Sequence, residues 1–266
     1  WSERWRGAAR KRWVLDVEVQ QDGTVWMAWF TNRAKEGDAT SGPVRAARLG
    51  DDDWEILPGS VEAGVPGHYG DVLLAEGGGS DAWLMSGLSG RLHRHHGEGW
   101  VVEETPEVGR VTRAAVGPEG TLWVRLKAGC DPETLVCSGP SDIVARFDGG
   151  DWEIYDASDG IPMMGDHYQG FEGFFSVAPD RSIWFNPNGD DALTGSECDG
   201  IANFDGEAVT HFLRDTCIYA MDLAPDGTVW LQAGVYRADD AGDSLGKARR
   251  GPIHTYVITP EAMTES

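Results

Sequence analysis

No stretch of this chain approaches the roughly eighteen consecutive apolar residues that a membrane-crossing helix needs, so nothing here inserts into a bilayer as a helix. Positive charge is scarce: 22 Lys and Arg stand against 44 Asp and Glu, a formal net charge of −22. Such a surface repels phosphate backbones and anionic lipid headgroups, which excludes nucleic acid as a partner and favours solubility or a cationic ligand. Cysteine is sparse, with four in 266 residues. Catalytic signatures are missing as well, since no Gly-rich phosphate loop and no serine-hydrolase elbow occurs. No signal peptide is visible. The chain begins at Trp1, which reads as a processed or excised piece of a secreted or membrane-anchored protein.

What is abundant is turn and ring. Thirty-six glycines and thirteen prolines imply many turns, hence many short strands, and twelve tryptophans recur in register with them. The pattern is an apolar strand, a small turn, then Thr or Ser, an apolar residue and Trp. It appears at Val17–Trp26, Ala115–Trp123, Val177–Trp184 and Leu223–Trp230, with a degenerate copy at Gly79–Trp83. The Trp spacings are 57, 40, 61 and 46 residues. A second alternating strand follows each copy, closed by a Gly/Asp turn and often a second Trp, as in Arg48–Ile56, Leu92–Trp100 and Ala145–Tyr155, or as Ile201–Gly206. Each repeat is therefore two hairpins, or four antiparallel strands a to d, because Asp-Gly supplies the positive φ of a tight turn. One such sheet cannot bury both faces alone, whereas a ring of sheets buries each against the next. The repeated Trp reads as the packing anchor between sheets.

The expected fold is all-β, a single β-propeller over 1–266 of about five four-stranded blades, with six as the alternative. The spans are about 14–68, 69–108, 109–166, 167–215 and 216–266. The last repeat lacks a clear outer strand, which residues 1–13 are placed to supply, closing the ring.

These motifs resemble the two-component-regulator propeller repeat, whose pattern runs Pro-Asp-Gly, Thr-apolar-Trp, Arg-Phe-Asp-Gly, Trp-x-x-Tyr and Asp-Gly-apolar-Pro. Pro225-Asp226-Gly227-Thr228-Val229-Trp230, Arg146-Phe147-Asp148-Gly149 and Asp159-Gly160-Ile161-Pro162 carry it here. The streptogramin lyase-like propellers share the Pro-Asp-Gly-x-x-Trp part. The resemblance covers about residues 14 to 235. It implies the fold and a sensor or binding role more often than an enzyme, because the repeat itself encodes no catalytic residue.

The a–b and c–d turns are short throughout. Every long connection falls in the other two classes: 31–44, 128–141, 187–199 and 236–250 between b and c, and 57–70 and 156–172 between d and a. Propeller geometry gathers these on one face, where binding residues concentrate on rigid scaffolds. The segments leading into the inner strands bring Trp13, His68, Tyr69, Arg110, His167, Tyr168 and Tyr219 to the channel mouth. Met163 and Met164 lie in one of these loops and suit an adaptable apolar contact, or a cover over the core. The same His-Tyr pairs read equally as structural ties at the strand starts.

Cys130 with Cys137, and Cys198 with Cys217, sit in polar loops of that face. They suggest two disulfides and an extracytoplasmic location. His93 and His95 share one strand face and form a candidate pair for a metal such as Zn²⁺, although an exposed outer strand explains them more simply. Asn186, Asn188 and Asp190 alternate like a calcium loop but lack its terminal bidentate Glu, so Ca²⁺ is a weak expectation and no cofactor is required. The expected function is a non-catalytic sensor domain taking a small molecule, glycan or protein. Two alternatives stand beside it. One is a lyase or hydrolase with His as base and Tyr as acid; the other is an architectural protein-interaction ring.

Overall fold

The computed structural model describes residues 12–19, 25–31, 44–49, 53–59, 72–77, 81–86, 91–96, 99–117, 120–129, 142–162, 174–187, 200–214, 216–234, 236–237, 249–250 and 252–261. Among these the chain is built of strands. The first sheet runs in the order β1 (Arg12–Val19), β2 (Val25–Thr31), β3 (Val44–Leu49), β4 (Trp54–Ile56). The second follows with β5 (Val72–Gly77), β6 (Asp81–Ser86), β7 (Arg91–His96) and β8 (Gly99–Glu103). A third holds β9 (Arg110–Val116), β10 (Leu122–Lys127), β11 (Asp142–Phe147) and β12 (Trp152–Tyr155). The fourth comprises β13 (Phe175–Val177), β14 (Ile183–Phe185), β15 (Ile201–Phe204) and β16 (Val209–Phe212).

The last sheet has three strands among the described residues: β17 (Cys217–Leu223), β18 (Val229–Gly234) and, after a ribbon of β19 (Tyr236–Arg237) with β20 (Arg249–Arg250), β21 (His254–Ile258). Each sheet thus meanders a-b-c-d in sequence order, as the paired hairpins of the repeat require. The outer strand missing from the last repeat is also absent among the described residues. Residues 1–11, expected to supply it, lie outside them. Trp13 does not precede the first inner strand; it is the second residue of β1 and stands opposite Phe30.

The turns explain why the strands stop where they do. Three a–b turns are closed by the same two backbone hydrogen bonds: Gly117 N to Thr121 O with Gly120 N to Gly117 O, Ala178 N to Ser182 O with Arg181 N to Ala178 O, and Ala224 N to Thr228 O with Gly227 N to Ala224 O. The residue before the Thr or Ser takes a left-handed backbone in each, with φ of 81° at Gly120, 73° at Arg181 and 87° at Gly227. Glycine adopts that conformation without cost, so among these three turns the fourth sheet alone carries it on a side-chain residue. Aspartates cap the turns: Asp226 accepts from Thr228 N, Asp180 from Ser182 N and Oγ, and Asp205 from Glu207 N and Ala208 N. A short 3-10 turn, Ala157–Asp159, follows β12 and is closed by a capping box between Asp156 and Asp159.

The chain divides into two compact units, Trp1–Ser138 with Arg146–Trp152, and Gly139–Ala145 with Glu153–Ser266. In the first, Trp26, Ala28, Val44 and Ala46 of the first sheet pack on Ala82 and Leu84 of the second. The other face of the second sheet puts Trp83 edge-on against Phe147, with ring centroids 5.9 Å apart. In the second unit, Ala178, Trp184 and Ile201 of the fourth sheet pack on Ile218, Val229, Leu231, Ala233 and Ile258 of the last. Second strands are buried on both faces in the first four sheets; Trp26 to Trp29, Ala82 to Met85, Leu122 to Leu126 and Ile183 to Phe185 are all buried. In β18 burial alternates instead, and Trp230 is 49% exposed. Four of the five repeat tryptophans are thus packing anchors, as the pattern predicts, and the fifth is not.

Candidate functional site

The b–c and d–a connections leave each sheet from one end, so the start of the inner strand marks that end. Three inner strands carry a register shift there. In β1 it lies between Val14 and Asp16, in β9 on the Thr112 side of Arg113, and in β17 between Ile218 and Ala220. The extra residues are Leu15, Thr112 and Tyr219. Each falls three positions before the residue that faces the repeat Trp, namely Glu18, Ala115 and Asp222. A bulge bends the strand and re-aims the extra side chain, and it recurs next to functional sites. The β5 strand is paired without a shift from Val72 to Gly77, so the device is not imposed by the repeat on every sheet.

Trp13 and Arg110 are register equivalents, each five positions before the residue facing the repeat Trp, and Arg110 stands opposite Lys127. Tyr219 does not join their series; the equivalent position in β17 is Cys217, and Tyr219 is the bulge residue two places further in. It is half-buried. A Cβ at Gly234 would lie 3.4 Å from its Cε2, so the ring lies across the start of the following connection. Arg110 belongs to the first unit and Tyr219 to the second. His68, Tyr69, His167, Tyr168, Met163, Met164, Asn188, Asp190, Cys130, Cys137 and Cys198 lie outside the described residues. Cys217 is buried and is not a free thiol.

Sequence reasoning missed a basic set on the third sheet. Arg125 is buried and stands opposite Arg113, while Lys127 stands opposite Arg110, and all four share one sheet face with Trp123. The signal was present in the spacing Trp123-x-Arg125-x-Lys127. Thr112 Oγ1 reaches the Arg125 carbonyl at 3.4 Å, which ties the bulge to this strand.

His93 and His95 are not on an exposed outer strand, contrary to the simpler expectation. The β7 strand is third of four, with β8 outside it, and the face bearing both rings packs toward the first sheet. They are 9% and 4% exposed. Burial holds the His93 pKa below its ordinary value, against partial support from the Leu84 backbone. Asn186, expected as a weak calcium ligand, ties two backbone segments together. Its Oδ1 accepts from Phe174 N at 3.1 Å, and its Nδ2 donates to Gly200 O at 3.4 Å.

No family model matches the sequence, and no curated protein matches it. Solved structures do. A catalytically inactive variant of virginiamycin B lyase from Staphylococcus aureus with quinupristin is 14% identical, over 91% of this chain and 85% of that one, with a TM-score of 0.45. YCF48 bound to a peptide is 15% identical over 83% and 74%, with a TM-score of 0.42. An acylaminoacyl peptidase from Pyrococcus horikoshii is 13% identical over 90% of this chain and 38% of that one, with a TM-score of 0.50. The fold is a β-propeller. At these identities the likeness shows the fold alone. Among the described residues no helix is long and apolar enough to cross a membrane.

Proposed function

We propose that this chain is a non-catalytic binding propeller, a sensor-type domain that takes a small molecule, glycan or protein at the end of the sheets where the b–c and d–a connections leave. The observation that carries the reading is the division of labour between the two ends. At the short-turn end, the polar groups of the a–b and c–d turns close the turns themselves, through Asp148, Asp180, Asp205 and Asp226 and the paired backbone bonds. At the other end, three inner strands are bulged at one equivalent position, and that end carries every long connection. A bulge gives up ladder hydrogen bonds to redirect a side chain, which structural support alone does not require.

The reading includes an extracytoplasmic location with Cys198–Cys217 and Cys130–Cys137 disulfides stiffening the same end. The oxidised state of Cys217 supports the first pairing. The test is a thermal-shift screen of small molecules, glycans and peptides, since a ligand of the native state raises the melting temperature. A hit is then titrated against Tyr219→Ala, expected to weaken it, and against Arg181→Gly, in a short turn of the same compact unit, expected to leave it unchanged. Loss through Arg181→Gly with Tyr219→Ala silent places the site at the wrong end and sinks the reading. A hit that the protein also turns over moves the chain to the enzyme class.

A further inference from the structure

The layer between the first and second sheets is apolar, lined by Trp26, Ala28, Val44 and Ala46 on one side and Ala82 and Leu84 on the other, with Trp100 packed against it. Into this layer β7 sends two imidazoles. His93 stands opposite Leu84 and Val102, and His95 opposite Ala82 and Trp100, so both rings are on the face turned to the first sheet. Among the described residues, neither ring nitrogen of His95 has a hydrogen-bond partner, nor has Nδ1 of His93, nor the indole Nε1 of Trp26 or Trp100. Each buried polar atom left so forfeits its hydration without a replacement hydrogen bond, and native interiors keep few of them. Apolar residues fill such a layer without that cost, as Leu84 and Ala82 across the ladder show. Two histidines here need a reason.

We propose that His93 and His95 form a two-imidazole site for a soft monovalent cation, Cu⁺. The donor set selects the ion. Neutral imidazole nitrogens suit Zn, Cu, Fe and Ni, so the number of donors and the charge make the choice among them. Among the described residues no group of three His, Cys, Asp or Glu occurs that could hold a metal, so the site offers two donors where structural Zn²⁺ takes four. Residues two apart on a strand are roughly 6.6 Å apart along it, a span that lets the two rings close on one ion from opposite sides. The charge argument points the same way. The Born cost of an ion in a dry layer grows with the square of its charge, so a divalent ion costs about four times as much as a monovalent one. Arg91 on the same strand adds a repulsive charge near His93, and Arg94 lies over the Trp83 ring at 5.4 Å on the opposite face. The half-buried Trp100, edge-on to His95 with ring centroids 5.1 Å apart, gives the ion an aromatic neighbour.

The experiment is an anaerobic titration of the full chain with Cu⁺ buffered by bicinchoninate. The wild type is expected to withdraw one equivalent, and the bound metal to show a two-coordinate nitrogen environment by X-ray absorption. His93→Leu and His95→Leu put apolar side chains into an apolar layer, and each is expected to weaken binding at least about 100-fold while His254→Asn, on an exposed strand, leaves it unchanged. Failure of the wild type to withdraw Cu⁺ overturns the proposal, as does binding that survives in both Leu variants. Equal affinity for Zn²⁺ overturns the choice of ion. If the Leu variants do not fold, the wild type with Ag⁺ decides: the ring ¹⁵N resonances of His93 and His95 shift, or the site does not exist.

Discussion

Replacing Trp184 and Trp230 by alanine, one at a time, tests whether the repeat tryptophan works by packing between sheets. Both residues occupy the same repeat position and belong to the same compact unit. Trp184 is fully buried between the fourth and last sheets and stacks at a tilt on Phe212, with centroids 5.2 Å apart. Its removal strips roughly 200 Å² of buried ring at about 25 cal/mol per Å² and leaves a cavity, so Trp184→Ala is expected to cost about 3–5 kcal/mol. Trp230 faces Asp222 and Val257 across its neighbours and is 49% exposed. Half its area never leaves water and no cavity forms, so Trp230→Ala is expected to cost about 1–2 kcal/mol. The assay is urea unfolding followed by tryptophan fluorescence and, separately, by far-ultraviolet circular dichroism, comparing midpoints at unchanged slope. The costs differ by about 1–4 kcal/mol, so at roughly 2–4 °C per kcal/mol the two variants differ by about 2–16 °C in melting temperature. Equal losses refute the reasoning, because they mean that the Trp230 face is covered in solution.

Gly227→Ala puts a Cβ at φ of 87° and is expected to cost about 1 kcal/mol, whereas Arg181→Gly, at the equivalent φ of 73°, is expected to raise the urea midpoint; the same sign for both variants breaks the equivalence of the turns. Backbone and side-chain hydrogen bonds from Thr228 hold the Asp226 carboxyl below its ordinary value, so its stabilising contribution is present above the usual carboxylate range and is lost as pH falls through the lowered pKa. Asp226→Asn should therefore lie below wild type in urea midpoint near neutral pH, with the gap closing as pH falls through the lowered pKa; a gap that is constant across pH removes the charge from the account. Thiol titration of the unreduced, denatured chain is expected to find no free thiol, and a full count of four refutes both disulfide pairs.

The Trp-and-turn repeat was legible because both signals are local. An alternating strand, an Asp or Glu, a residue of positive φ and a Thr or Ser specify a hairpin within about ten residues, and the same two backbone bonds then close Gly117–Thr121, Ala178–Ser182 and Ala224–Thr228. What the sequence left open depends on the neighbouring sheet. Leu92-His93-Arg94-His95 alternates whichever face is covered; only the packing of the first sheet decides that the histidines are inside and that Arg94 takes the side of Trp83. Trp230 reads like Trp184 in its own repeat, and its exposure follows from what lies beside the last sheet, not from any residue near it. The bulges at Leu15, Thr112 and Tyr219 are a third case, since an added residue in an inner strand leaves the composition of the repeat unchanged and shows only in the register. Their common position argues that the inner strands of the first, third and last sheets share a constraint at one end that the second does not. In each of these sheets the bulge sits at the end where the b–c and d–a connections leave, while the turns at the other end are closed by their own backbone bonds, so the two ends of a sheet answer to different demands.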